Sequence, residues 1–181
     1  MFGPRRSVLS ALSVLLLLAA TTLSAQRPQT REGFWGTLGA GYATLGCKNC
    51  DGRQDGGAGA IALGGTLNQK WQLGASVTAW EKSEGGATLT VGLVAAIARF
   101  YPSATGGFFL QGGAGIAAID LGVGNLSATE KGFGTILGAG YDVRIGRNVS
   151  LTPFWNRVQT WYNDFDDDLD FSQFGLSITI H

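Results

Sequence analysis

The chain has 181 residues, in which 13 Lys and Arg balance 13 Asp and Glu, and this charge gives no support for nucleic-acid binding, which needs a concentrated basic surface to neutralise phosphates. Its 29 glycines come with only 4 prolines and no Gly-X-Y period, which argues against collagen and against a disordered linker. The length suits one domain with a sizeable interior.

In chain order, MFGPRR supplies Arg5 and Arg6, followed by an apolar core of 13 residues from Val8 to Ala20. That core is short of the roughly 17 residues a helix needs to cross a bilayer. Leu23-Ser24-Ala25 then offers small residues, so residues 1–25 read as a secretory signal peptide cut after Ala25 rather than an anchor helix. No cysteine stands directly after the cut, where Gln26 follows Ala25, so no lipoprotein anchor is expected. Arg5-Arg6 is a poor twin-arginine signal, and general secretion is the expected route. Removing residues 1–25 leaves 156 residues and takes Lys plus Arg from 13 to 11 against 13 acids, a net charge of 11 − 13 = −2. Residues 26–32, polar and carrying Pro28, read as a short periplasmic lead-in.

From there the hydrophobic period is two. In WQLGASVTAW, Trp71, Leu73, Ala75, Val77 and Ala79 alternate with Gln72, Gly74, Ser76, Thr78 and Trp80, which predicts strand and not helix. The same reading predicts eight strands, at 34–46, 58–67, 71–81, 87–100, 107–120, 132–145, 149–162 and 171–180. The connections at 68–70, 101–106 and 146–148 are short. Those at 47–57, 82–86, 121–131 and 163–170 are mostly longer and carry most of the charge. An even number of strands with alternating turns and loops points to an antiparallel up-and-down barrel over residues 33–181.

Which face is greasy separates two kinds of barrel. A soluble, lipocalin-like barrel points large apolar residues inward and charges outward. Here the apolar phase, with Leu73, Val77, Leu89, Val91, Leu93, Leu137, Val143, Leu176, Ile178 and Ile180, opposes a phase of Gly, Ala, Ser and Thr with few charges. Soluble surfaces are commonly a quarter or more charged, so the greasy phase is expected to face lipid and the small phase a narrow lumen. Closure then satisfies every backbone hydrogen bond in hydrocarbon. Two aromatic girdles are expected: Phe34, Trp35, Trp71, Phe100, Tyr101 and Phe108 by the short turns, and Trp80, Phe133, Trp161, Tyr162 and Phe171 by the long loops.

Through strand count, alternation, aromatic strand ends and the closing strand FGLSITI, residues 33–181 resemble the small eight-stranded outer-membrane β-barrels of Gram-negative bacteria, the OmpA/OmpX-like group. The resemblance implies a transmembrane barrel, contact with outer-membrane lipids and lipopolysaccharide, insertion by the barrel assembly machinery, and a monomer. Such proteins usually end on an outward aromatic, whereas this sequence ends Ile180-His181.

The chemistry-bearing residues are few. Cys47 and Cys50, the two cysteines of the chain, fall in a loop expected to be extracellular. No βαβ context marks a redox site, and one distant histidine does not complete a zinc site. The pair reads as a loop disulfide formed in an oxidising compartment, with free thiols or half a metal site as the other readings. The run from Asn163 to Asp170 looks like a calcium loop but lacks its Gly and distal Glu, so it reads as a solvated acidic loop. A divalent cation bridging it to lipopolysaccharide phosphates is the functional alternative. Asn125-Leu126-Ser127 and Asn148-Val149-Ser150 fit a glycosylation pattern, discounted in bacteria. Asp142 and Arg144, two apart on one strand, are expected as an ion pair in the lumen. Pro153 to Arg157 breaks the alternation and suggests a bulge that could turn Arg157 inward.

No cofactor or metal is expected, and the function expected is non-catalytic: stabilising the envelope, or presenting extracellular loops for adhesion or binding. A lipid A-modifying enzyme is the main rival. As a family such enzymes use a histidine near the outer leaflet, whereas His181 is expected at the periplasmic end, so no Ser-His-Asp set is expected at the outer face. A narrow pore is the third possibility, disfavoured because side chains can fill an eight-stranded lumen.

Overall fold

The computed structural model describes residues 31–47, 52–123, 126–162 and 168–181. The segment expected to be the signal peptide, Cys50, Asn125 and the acids 164–167 lie outside the described residues. The strands are β1 (Phe34–Cys47), β2 (Gln54–Asn68), β3 (Trp71–Glu84), β4 (Ala87–Phe100), β5 (Phe108–Val123), β6 (Leu126–Tyr141), β7 (Val143–Arg144), β8 (Val149–Tyr162) and β9 (Leu169–Ile180). All pair antiparallel. β6 and the short β7 are one stave interrupted at Asp142, and pairing of β1 with β9 and of β6 with β8 closes eight staves into a barrel.

The pairing defines the wall. Opposite partners lead from Phe34 through Gly65, Leu73, Ala98, Gly112, Leu137, Arg157 and Ser172 back to Thr44, ten residues further along β1. Such a stagger over eight staves tilts the strands by about 40°, so each residue rises about 2.5 Å along the barrel axis. Phe34 and Thr44 are then about 25 Å apart in height, the depth of an outer-membrane apolar band.

On β3, β6 and β9 the greasy phase faces outward: Leu73, Val77, Leu137, Leu176, Ile178 and Ile180 are all exposed on the outer wall. Val143 is half-buried on β7. On β4 the expectation fails. Val91 and Leu93 are 0% and 1% exposed, inside the lumen with Ala95 and Ile97, and Leu89 packs against the same cluster. The exposed residue is Val94, at 57%, directly opposite the outward Val77. Both faces of β4 are apolar, so alternation cannot orient it; the register with β3 does.

Three further expectations are corrected. First, the strands run past the predicted loop boundaries: β2 begins at Gln54, β3 reaches Glu84, β5 reaches Val123 and β6 begins at Leu126. A paired neighbour lets the ladder continue through polar residues above the membrane. The β3–β4 connection shrinks to Gly85 and Gly86, with φ of 60° and 84°, which tight hairpin turns demand and glycine supplies without strain. Second, the girdles are thinner than expected, because Trp35, Trp80, Tyr101, Tyr162 and Phe171 turn inward. The outer aromatics include Phe34, Trp71 and Phe108 at one end, with Phe133 and Trp161 stacked at 5.9 Å at the other. Third, β8 carries no bulge. Its register with β9 is unbroken from Val149 to Thr160, and Arg157 points outward with its side chain 46% exposed. Pro153, which lacks an N–H, falls where the β6 ladder stops at Gly140↔Phe154 and β7 resumes at Val143↔Leu151, so no donor is missed there.

The phase of β4 has a direct test. Enlarging Val91 to Phe overpacks the lumen and should cost about 1–3 kcal/mol, whereas Val94→Phe meets lipid and should change stability by less than about 1 kcal/mol. Reversible urea unfolding in vesicles measures both, and the opposite ranking would return Val91 to the lipid face.

Candidate functional site

The lumen is filled in two layers. Toward the end of the barrel where β1 ends and β9 begins it is apolar: Trp80, Val91, Leu93, Val158 and Phe171 are at most 1% exposed and pack in one cluster. The Trp80 indole N–H donates to the Ala43 carbonyl at 3.3 Å. Small residues make the room. A Cβ on Gly56 would lie 2.5 Å from the Trp80 indole nitrogen, and one on Gly140 would lie 2.5 Å from the Phe109 ring. The inward glycines therefore let aromatic rings cross a narrow lumen, a reason for their abundance that composition alone could not assign.

Toward the end with the short turns the filling is polar and hydrogen-bonded. Arg99, buried at 4% exposure, stacks over Trp35 and Phe109 at 4.3 and 4.9 Å. It donates to Gln111 at 3.1 Å and Thr37 at 3.2 Å, and Gln111 donates to Asn156 at 2.7 Å. Thr37, Thr179 and Thr152 continue the chain through hydroxyl contacts of 3.0 Å. Beside these residues a cavity of about 20 Å³ has room for one water.

Asp142 is the hub of this layer. Its carboxylate accepts from Tyr101 at 3.0 Å and Thr152 at 2.7 Å, and lies 3.2 Å from the His181 ring, whose side chain is 1% exposed. The other ring nitrogen of His181 faces the Gln72 amide at 3.4 Å. Arg31, ahead of β1, closes the mouth. Its guanidinium stacks 3.5 Å over Tyr101 and donates to the carbonyls of Gln69, Ala104 and Gly106. Burial pulls the Arg31 pKa down from the usual arginine range, and burial followed by the nearby Asp142 charge pushes the Tyr101 hydroxyl up, which keeps it a donor. Arg144, the ion-pair partner expected for Asp142, lies half-buried two residues on.

At the opposite rim Cys47 ends β1 and is not a free thiol. Arg53 Nη2 reaches Asp170 Oδ2 at 2.9 Å, and Arg157 Nη2 reaches the same oxygen at 3.3 Å. Lys82 contacts Glu84 at 3.1 Å and Gln54 at 2.7 Å, and Asp120 accepts from Thr129.

Removing the hub should be expensive. Asp142→Ala strips Tyr101, Thr152 and His181 of one shared acceptor and is expected to cost about 3 kcal/mol. Thr37→Val, which removes peripheral contacts, is expected to cost about 1 kcal/mol. Urea unfolding in vesicles reads both, and equal losses would contradict a network centred on Asp142.

The barrel fold is shared with solved outer-membrane proteins. The barrel is similar to Neisserial surface protein A, with a TM-score of 0.63 at 15% identity, covering 84% of this chain and 99% of that one. It is also similar to Ail, the attachment invasion locus protein of Yersinia pestis, solved with the heparin analogue sucrose octasulfate, with a TM-score of 0.55 at 13% identity, covering 82% of this chain and 99% of that one. At such identities the likeness is one of fold. No curated protein matches the sequence. Residues 13–181 match the outer membrane protein beta-barrel domain, so the chain belongs to that family and resides in the bacterial outer membrane, its apolar outer wall in lipid.

Proposed function

We propose that this barrel is non-catalytic and conducts little, and that it serves the envelope by anchoring an extracellular rim that stabilises the outer leaflet or binds a partner. The observation that carries this reading is the sealed lumen, apolar under the rim and plugged by Arg31, Tyr101, Asp142 and His181 at the periplasmic mouth. A pore needs a continuous water path, and side chains occupy it. A lipid-modifying enzyme needs its base at the outer leaflet. The histidine here is buried at the other end, and its second ring nitrogen faces an amide rather than a hydroxyl nucleophile.

Several finer assignments belong to the same reading. Arg144 balances the charge of Asp142 within the lumen. Cys47 bonds Cys50 and ties down the first extracellular connection. The protein is exported with residues 1–25 as signal, is inserted by the assembly machinery, and works as a monomer. The rim charges Glu84, Asp120, Glu130 and Asp170 lie on rigid strand extensions, where a binding surface is positioned by its scaffold.

Planar-bilayer recording of the refolded protein should show no stable current of porin size, and mass spectrometry of lipid A incubated with it should show an unchanged acyl pattern. A steady current would favour transport, and an altered pattern an enzyme. Non-reducing mass spectrometry of the peptide spanning Cys47 and Cys50 should show a loss of about 2 Da relative to the dithiol. Two alkylatable thiols in protein taken from the native membrane would rule the bond out.

A further inference from the structure

Among the described residues, one charged side chain faces outward within the apolar band of the wall. Arg157 faces outward on β8 between Leu137 of β6, which is 64% exposed to lipid, and Ser172 of β9. It lies four residues inside Trp161 of the extracellular girdle, about 10 Å deeper along the barrel axis. A guanidinium at that depth is costly unless its head rises to the interface or finds an anion. The head does rise, to Asp170 at 3.3 Å. That carboxylate oxygen is already bonded at 2.9 Å by Arg53, which Thr44 also holds through its carbonyl at 2.7 Å and its hydroxyl at 3.1 Å. Two cationic heads thus converge on one carboxylate, with 40% and 46% of their side-chain surfaces exposed.

The surroundings select the direction of approach. A recess of about 240 Å³ opens beside the cluster, lined by Gln159, Trp161, Asp168, Leu169 and Asp170. Asp168, at its upper end where β9 begins, disfavours an anion arriving from solvent. From below, at headgroup depth, an anion meets Arg157, Gln159 and Ser172 instead.

From this geometry we propose that Arg157 and Arg53, with Gln159 and Ser172, form a docking site on the outer wall for the phosphate of an outer-leaflet lipid. The guanidinium fork suits phosphate oxygens, Trp161 packs on the lipid body at the interface, and Asp170 holds the two arginines in register when the site is empty. This inference rests on the outer-membrane location and not on the absence of catalysis or conductance.

The test uses the refolded full-length mature chain with three probes: lipid A bearing both phosphates, the same lipid A after phosphatase treatment, and inorganic phosphate. Native mass spectrometry reads bound lipid and apparent affinity. The phosphorylated lipid should bind about tenfold or more tightly than its dephosphorylated form. Arg53→Gln with Arg157→Gln should bring the two forms within about twofold, Arg157→Lys should keep part of the preference, and Asp168→Asn should strengthen it. Equal excess inorganic phosphate should not displace the lipid. Arg53→Gln alone, at the exposed rim, guards against a folding defect in the double variant, and heat-resistant gel migration confirms the barrel. Equal binding of the two lipid forms, an unchanged preference in the folded double variant, or displacement by inorganic phosphate would overturn the proposal. A lipid-independent dimer lost on Arg157→Gln would also overturn it, assigning the arginine to a second copy of the chain.

Discussion

Everything in this structure follows from the cost of leaving a backbone N–H or C=O unpaired in hydrocarbon. A sheet placed there must have no edge, and the β1–β9 and β6–β8 ladders remove the two it would otherwise have. Once eight staves close with a ten-residue stagger, the lumen is narrow, and what fills it is set by space. Rings such as Trp80 and Phe109 can lie across it only where Gly56 and Gly140 leave room. Polar side chains buried in it gain by pairing, because an unpaired buried group is costly, and the Gln173 amide is left without a hydrogen-bond partner. The threonine ladder, the Arg99 stack and the Asp142 hub are the resulting solution.

Much of the architecture was legible in the sequence because lipid imposes a period of two. β3, β6 and β9 oppose large apolar residues to small ones, and their orientation follows directly. β4 was misread because Val91 and Leu93 on one face and Val94 and Ala96 on the other are all apolar; the information that orients it lies in its neighbour's register, through Val77↔Val94. The strand ends were placed short because charge looks like loop, yet above the membrane a strand keeps its ladder whatever its side chains. Pro153 looked like a bulge, but the neighbouring stave is interrupted at its position instead.

The lumen network was less visible, since it joins Arg31, Gln72, Tyr101, Asp142 and His181 from separate ends of the chain. Same-strand spacing points to Arg144 for Asp142, and the contacts that Tyr101, Thr152 and His181 make with that carboxylate come from register and from the chain end, which spacing along one strand does not reveal. A partial signal was present: Gln72 and Asn156 are bulky polar residues at inward strand positions. The outer-wall arginine had a signal too, being a charge in the greasy phase of β8, but the expected bulge explained it away.

Closure is the claim on which the rest depends, and amide hydrogen exchange of the protein in lipid bilayers tests it most directly. If the wall is continuous, the membrane-embedded amides of β1, β9, β6 and β8 should be as strongly protected as those of β3 and β4, with exchange rising only toward the turns and the rim. Rapid exchange along β1 and β9, or along β6 and β8, at the depth of the apolar band would mean an open edge and would contradict the barrel.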